Sequence, residues 1–146
     1  MSKGLSLLFH NTIGEIASRN YFKKMVKELI RKLIEKTPNG TGKAVAVGAY
    51  DSKTGWVVAS FAGPIPEKIH PDLQKLADNI GGVGSLGLTN KNIVGVCAEF
   101  RAVNELLWKG SKLSDIKITA PIRPRTGATI NYCANCLAMF ANLIDN

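Results

Sequence analysis

Three cysteines and one glutamate carry the chemistry this chain could do. Cys97-Ala98-Glu99 is answered, 34 residues beyond Glu99, by Cys133-Ala134-Asn135-Cys136, and the 146-residue chain has no other cysteine. Thiolates are good zinc ligands, and a catalytic zinc takes three protein ligands and leaves one position for water. Three sulfurs therefore fit an open catalytic site better than a closed structural one. The gap in Cys133-x-x-Cys136 lets both sulfurs converge at the start of one helix, and Cys97 would join them from the start of another. Helix N-termini favour the thiolate form. Glu99 falls in the first turn after Cys97, close enough to trade a proton with water on the metal without ligating it. Such a carboxylate is the general acid–base partner of zinc-assisted hydrolysis. Two other readings compete. One is a structural zinc completed by His10 or His70. The other is a redox Cys-x-x-Cys pair, which leaves Cys97-Ala98-Glu99 unexplained and would open the last helix instead of following an early strand.

The elements that must position these groups follow from periodicity. Ile13 to Lys36 reads as an amphipathic helix capped by Asn11 or Thr12, with Phe22, Met25, Val26, Leu29, Ile30, Leu33 and Ile34 as its apolar stripe. Arg19, Lys23, Lys27 and Arg31 step by four along another face. Thr37-Pro38-Asn39-Gly40 stops the helix. Lys43 to Tyr50 and Trp56 to Phe61 read as strands joined through Asp51-Ser52-Lys53-Thr54-Gly55, a turn with hairpin chemistry. Their near-continuous apolar character predicts a sheet covered on both faces. A short helix follows His70-Pro71-Asp72, with Leu73, Leu76, Ala77 and Ile80 inward. Cys97 to Lys109 reads as a helix ended by Gly110, Asp115 to Ile122 as a third strand, and Cys133 to Leu143 as the last helix. A fourth strand could come from Thr126 to Asn131.

Length and composition allow a single domain with one adequate core. No apolar run reaches the roughly 18 residues of a membrane span, so no membrane partner is expected. An odd cysteine count argues against a disulfide framework and for work in a reducing cytoplasm. The N-terminus lacks the apolar core and cleavage site of a signal peptide. The net charge is +8 and is concentrated in residues 1–43, which hold nine Lys/Arg against three Asp/Glu. A balance of this kind suits a polyanionic partner, although a basic, solvated helix face accounts for it as well.

Taken together, Cys97-Ala98-Glu99-Phe100-Arg101-Ala102-Val103-Asn104-Glu105-Leu106-Leu107, Gly110, Gly127 and Cys133-Ala134-Asn135-Cys136, with His70-Pro71-Asp72-Leu73 upstream, resemble the cytidine deaminase-like superfamily. The nearest resemblance is to the YwqJ-type deaminases, which occur as toxin domains of bacterial secretion systems. It covers roughly residues 43–143. It implies a three-layer α/β/α fold with a small mixed sheet, made of a hairpin and at least one further strand, behind zinc-bearing helices. Residues 1–40 would add a basic amphipathic helix to one 1–146 domain. The resemblance also implies Zn2+ held by Cys97, Cys133 and Cys136, with Glu99 as proton shuttle. The reaction would be hydrolytic deamination of cytosine to uracil, with attack at C4, protonation of N3 by Glu99 and loss of ammonia. Tyr132 stands where the superfamily carries Pro. The chain ends ten residues after Cys136, so the later strands of longer deaminases have no counterpart.

Candidate substrate contacts are Ala98, between ligand and acid, Tyr132 beside Cys133, His70 at the pocket mouth, Phe61 as a stacking ring, and Arg123 and Arg125 toward phosphate. Trp56 could also stack, whereas Trp108 reads as core. The expected substrate is single-stranded DNA or RNA. A free cytidine or nucleotide substrate, or a non-catalytic, zinc-stabilised nucleic-acid-binding module, are the alternatives. The resemblance further implies a cognate immunity protein. The expected assembly is a monomer.

Overall fold

In the computed structural model, which describes residues 5–11, 19–89 and 92–145, the Val- and Ala-rich runs form the centre of a four-stranded sheet. Strands β1 (Ser6–His10), β2 (Ala46–Asp51), β3 (Trp56–Phe61) and β4 (Ile116–Ile118) lie in the order β1-β3-β2-β4, and every neighbouring pair is antiparallel. The hairpin turn holds because Asp51 Oδ1 accepts the N–H groups of Lys53 (2.9 Å) and Thr54 (3.4 Å), while Gly55 donates to the Asp51 carbonyl (2.8 Å). An aspartate serving its own turn in this way is common.

Side chains alternate across a strand, so β2 and β3 feed two cores. Ala46, Tyr50, Val57, Ala59 and Phe61 pack with Phe22, Val26, Leu29, Ile30 and Leu33 of α1 (Arg19–Lys36). Val47, Ala49 and Val58 face the other way, toward α2 (Pro71–Asp78), α3 (Ala98–Trp108) and α4 (Ala134–Phe140). The sheet is thus sandwiched between helices, and both central strands are buried. Gly48 sets how close α1 can lie, for a Cβ there would meet Val26 Cγ1 at 2.0 Å.

The C-terminal segment ties three elements together. Asp145 donates its N–H to the Ile118 carbonyl (2.9 Å), accepts from Arg19 Nε (2.6 Å) and accepts from the Tyr50 hydroxyl. Tyr50 in turn stacks on Phe22, with ring centroids 5.1 Å apart. Burial pulls the Asp145 pKa up, but the Arg19 and Tyr50 hydrogen bonds and the Arg19 charge outweigh it, leaving the carboxyl below its ordinary range.

Several expectations need correction. The sheet is antiparallel, not mixed; its parallel contact is a single bridge from Ile118 to Ile144. Residues 1–40 hold more than a helix, because Ser6–His10 pairs along β3 as an edge strand. Thr126 to Asn131 forms no strand and touches the sheet through one Ile122–Thr129 bridge. The third strand is shorter than Asp115–Ile122, since pairing lapses around Ala120-Pro121 and resumes only in the Ala46–Ile122 bridge. The last helix ends at Phe140 and tightens into a 3-10 turn over Ala141–Leu143. Trp108 is not core: it is 53% exposed and donates its indole N–H to the Lys68 carbonyl at 3.1 Å. The expected helix start from Ile13, with its Thr12 cap, lies outside the described residues. Asn11 closes β1 by donating to the Gly55 carbonyl (2.9 Å). Among the described residues no helix is long and apolar enough to cross a membrane.

The Asp145 anchor has a pH signature. A carboxyl whose native pKa is depressed stabilises the fold above its unfolded pKa and loses that contribution as pH falls through the native value. Asp145→Asn should therefore lower the urea midpoint at pH 7, with the gap to the parent closing as pH drops below about 4. A gap that stays constant down to pH 3 would show that the carboxylate charge is not what anchors the segment.

Candidate metal centre

Cys97 and Cys133 occupy equivalent places, each the residue immediately before a helix: φ −68°, ψ 151° ahead of α3, and φ −73°, ψ 163° ahead of α4. The extended backbone at each cap turns the side chain back over the helix start. The Cys133 sulfur accepts the Cys136 N–H (3.4 Å), closing the first turn of α4 as an oxygen would at an ordinary cap. The Cys97 and Cys133 sulfurs stand 3.5 Å apart. That is contact distance, far beyond the roughly 2.05 Å of a disulfide, and all three thiols are free. The three sulfurs lie within 4.8 Å of one another. A tetrahedral zinc with bonds of about 2.3 Å separates its sulfur ligands by about 3.8 Å, so the donor set and its spacing fit that ion. Cys136 is buried, whereas Cys97 and Cys133 are half-buried, which leaves the cluster open on their side.

The electrostatics of the group are those of anions crowded together. Hydrogen bonds from the Cys136 and Cys97 thiols push the Cys133 pKa far down, to about 2. The same bonds, seen from the donors, push Cys97 up to about 12 and Cys136 up strongly. Glu99 is only 4% exposed. Burial raises its pKa and the Cys133 charge adds to the effect, while its own backbone amide and the Cys136 thiol oppose it. The carboxyl thus shares an electrostatic neighbourhood with all three thiols.

Neither histidine joins the cluster. His10 stacks on Trp56 at 4.3 Å, and its Nε2 donates to the Thr54 carbonyl (2.8 Å). His70 caps α2: its Nδ1 accepts the Asp72 N–H (3.1 Å), and its ring meets the Trp108 edge at 4.8 Å. A closed site of three cysteines and a histidine is therefore not formed among the described residues. Ala98 is buried under the start of α3. Tyr132 is half-buried, packs against the core that holds Cys97 and Cys133, and donates its hydroxyl to the Thr119 carbonyl (2.9 Å). Burial, with the Glu99 charge next, lifts its pKa to about 12. Phe61 is fully buried in the α1 core, on the other side of the sheet from the α3–α4 core, where it has no surface to offer a base. Arg123 and Arg125 are exposed on the turn that the Arg123–Ala128 and Gly127–Arg123 backbone bonds close. Asn104 binds neighbouring backbone, accepting from the His70 N–H (2.9 Å) and donating to the Lys68 carbonyl (2.8 Å).

Asn135 is the residue sequence reasoning passed over. It sits inside Cys133-x-x-Cys136, is fully buried, and makes three hydrogen bonds to one loop. Its Oδ1 accepts the Leu88 N–H (2.8 Å), and its Nδ2 donates to the Leu86 (3.3 Å) and Asn92 (3.1 Å) carbonyls. Gly87 permits this approach, since a Cβ there would stand 2.4 Å from Asn135 Oδ1. The loop that precedes Cys97 is thereby pinned to the helix that carries the other two thiols. The only cue in the sequence was an amide between two candidate ligands, with no partner specified.

Comparison with known proteins adds no relative: no family model, no curated protein and no solved structure matches the chain.

Two outcomes test the centre. Purified protein should carry about one zinc per chain, and Cys133→Ser should lose most of it by metal analysis; full occupancy in that variant would dismiss the ligand set. Asn135→Ala strands a buried N–H and two carbonyls, and should cost about 2–4 kcal/mol of stability. Faster amide exchange should appear in residues 85–89 first, and protection unchanged there would mean the loop is held by something else.

Proposed function

We propose that this chain is a zinc-dependent hydrolytic deaminase that converts cytosine to uracil in single-stranded nucleic acid, acting as the toxin domain of a secreted bacterial effector. The observation that carries the reading is the pairing of an open three-sulfur cluster with a buried carboxyl of raised pKa in the first turn after Cys97. Supporting it are the spacing of the two cysteine motifs, the absence of a histidine fourth ligand among the described residues and the +8 charge.

Cys97, Cys133 and Cys136 would hold the ion and keep one coordination position for solvent. When bound, zinc supplies Lewis acidity that brings a water's pKa to about 7. Glu99 does the proton work: it takes the proton from the attacking water and hands it to N3 as the new C4–O bond forms. It then takes the remaining proton of the new C4 hydroxyl and passes it to the exocyclic amine as the C4–N bond breaks and the C4 carbonyl forms, so that one water is consumed and one ammonia released. A carboxyl whose pKa burial raises above its ordinary range is suited to accept a proton as well as to return one. Tyr132, stationed beside Cys133, is placed to bear on a base presented to the cluster. Extraction of the base is easiest from a single strand, because unstacking and unpairing are then nearly free.

Incubation with cytosine-containing single-stranded DNA, RNA, duplex DNA and free cytidine should yield uracil from a single strand first. Product from free cytidine alone would replace the nucleic-acid substrate by a nucleoside, and no product from any of them would leave a zinc-stabilised binding module. Glu99→Gln should keep its zinc and its melting curve yet turn over at least a hundredfold more slowly, the lower bound for loss of a positioned acid–base group. Undiminished turnover in that variant would remove Glu99 from the mechanism.

A further inference from the structure

Along α1 runs a groove of ≈ 650 Å³ whose opposite wall is the segment from Thr119 to Tyr132. Its floor is apolar: Ile34 and Ile122 lie partly open above the buried Val26, Ile30 and Pro124. One rim is basic: Lys23, Lys27 and Arg31 recur every fourth residue, about 6 Å apart along the helix. Arg31 is held by Glu28 (2.8 Å) and Glu35 (2.7 Å). Among the described residues Lys23 and Lys27 form no ion pair within 4 Å, and Lys23 adds a weaker attraction to Asp145. Asp145, at the groove's end, is already engaged by Arg19 and Tyr50. The wall opposite carries the exposed Arg123 and Arg125 on its turn. Tyr132 closes the wall; it lines the groove and precedes Cys133 in the chain.

We infer that this groove is the track for a single-stranded nucleic acid, its phosphates along Lys23 and Lys27, its bases against the apolar floor, and its path leading past Tyr132 to the cysteine cluster. The assignment rests on the substrate proposed above and names the surface that would hold it. A row of cations beside a recessed apolar floor suits a chain with charge on one edge and flat apolar faces on the other, the pattern of single-strand grooves. A duplex hides its bases. An acidic peptide has no flat faces for the floor. A membrane surface needs apolar side chains that protrude, and these are recessed. The helical step of the lysines is on the scale of one nucleotide of an extended strand.

The test measures binding apart from chemistry. In a zinc-loaded Glu99→Gln background, fluorescence anisotropy follows a labelled twelve-nucleotide DNA strand containing one cytosine. Lys23→Glu/Lys27→Glu should weaken binding at least tenfold and flatten the salt dependence by about one to two units of log–log slope, the share of two phosphate contacts on a single strand. Lys75→Glu/Lys112→Glu, an equal charge change away from the groove, should weaken it less than threefold. Equal losses from both pairs would reduce the effect to net charge and overturn the groove. So would duplex binding as tight as strand binding, or displacement of the strand by polyglutamate or anionic vesicles at comparable charge. Should the reversal pair melt early, Lys23→Gln/Lys27→Gln replaces it, with at least a threefold loss expected and none overturning the assignment. With Glu99 restored, strand deamination at the parent rate in the lysine pair would overturn the groove and leave the deaminase standing. Lysine-dependent binding with no turnover on any substrate would keep the groove and remove the deaminase.

Discussion

Charge crowding is the constraint around which this protein is arranged. Three sulfurs within 4.8 Å of one another share an electrostatic neighbourhood with a carboxyl that is almost wholly buried. Were all four groups anionic, their mutual repulsion in a poorly solvated place would be severe. Shared protons relieve it in one way, with Cys133 as the charged partner and Cys97 and Cys136 as donors. A divalent cation relieves it more completely, because it stabilises several thiolates at once and leaves the carboxyl to change state. Three thiolate donors of this kind suit a soft, doubly charged ion.

Holding such a cluster together requires that two helix starts be brought into register and kept there. The sheet does most of this. Val47, Ala49 and Val58 present a short-side-chain surface on which α3 and α4 lie, while α1 clamps the opposite face. A closely packed interior permits little sliding. Asn135 completes the alignment from within the ligand motif, binding the loop that leads into Cys97 to the helix that carries Cys133 and Cys136. Asn104 and Trp108 do comparable work further along α3, both binding the Lys68 carbonyl and so fastening the loop ahead of α2. Positioning thus falls to neutral amides and an indole. Charged side chains do their positioning elsewhere, through the Arg19–Asp145 pair that ties the C-terminal segment to α1.

Much of this was legible in the chain alone. The hairpin was visible because Val- and Ala-rich runs flank an Asp-to-Gly turn, and α1 because its apolar residues recur every three or four positions. The cysteine cluster was visible because cysteine is rare and its spacing was specific. The edge strand Ser6–His10 was not, since five residues acquire strand identity only from a partner, here β3. Trp108 was taken for core because its chain neighbours are apolar; it lies instead at the rim, with its N–H used by a distant carbonyl. Phe61 reads as a candidate stacking ring because it is aromatic, but strand alternation turns it to the α1 side.

What the sequence determined by itself, then, was the set of groups able to do chemistry and the local elements that carry them, because thiol spacing, side-chain period and turn composition are properties of neighbours in the chain. Tertiary structure alone decided which face of the sheet each aromatic occupies, that both histidines stay away from the cysteines, that Asn135 fastens a loop 43 to 49 residues away, and that a basic helix and the segment before Cys133 enclose a groove. Those facts depend on contacts between residues far apart in the chain, and a pattern read along one strand of sequence does not contain them.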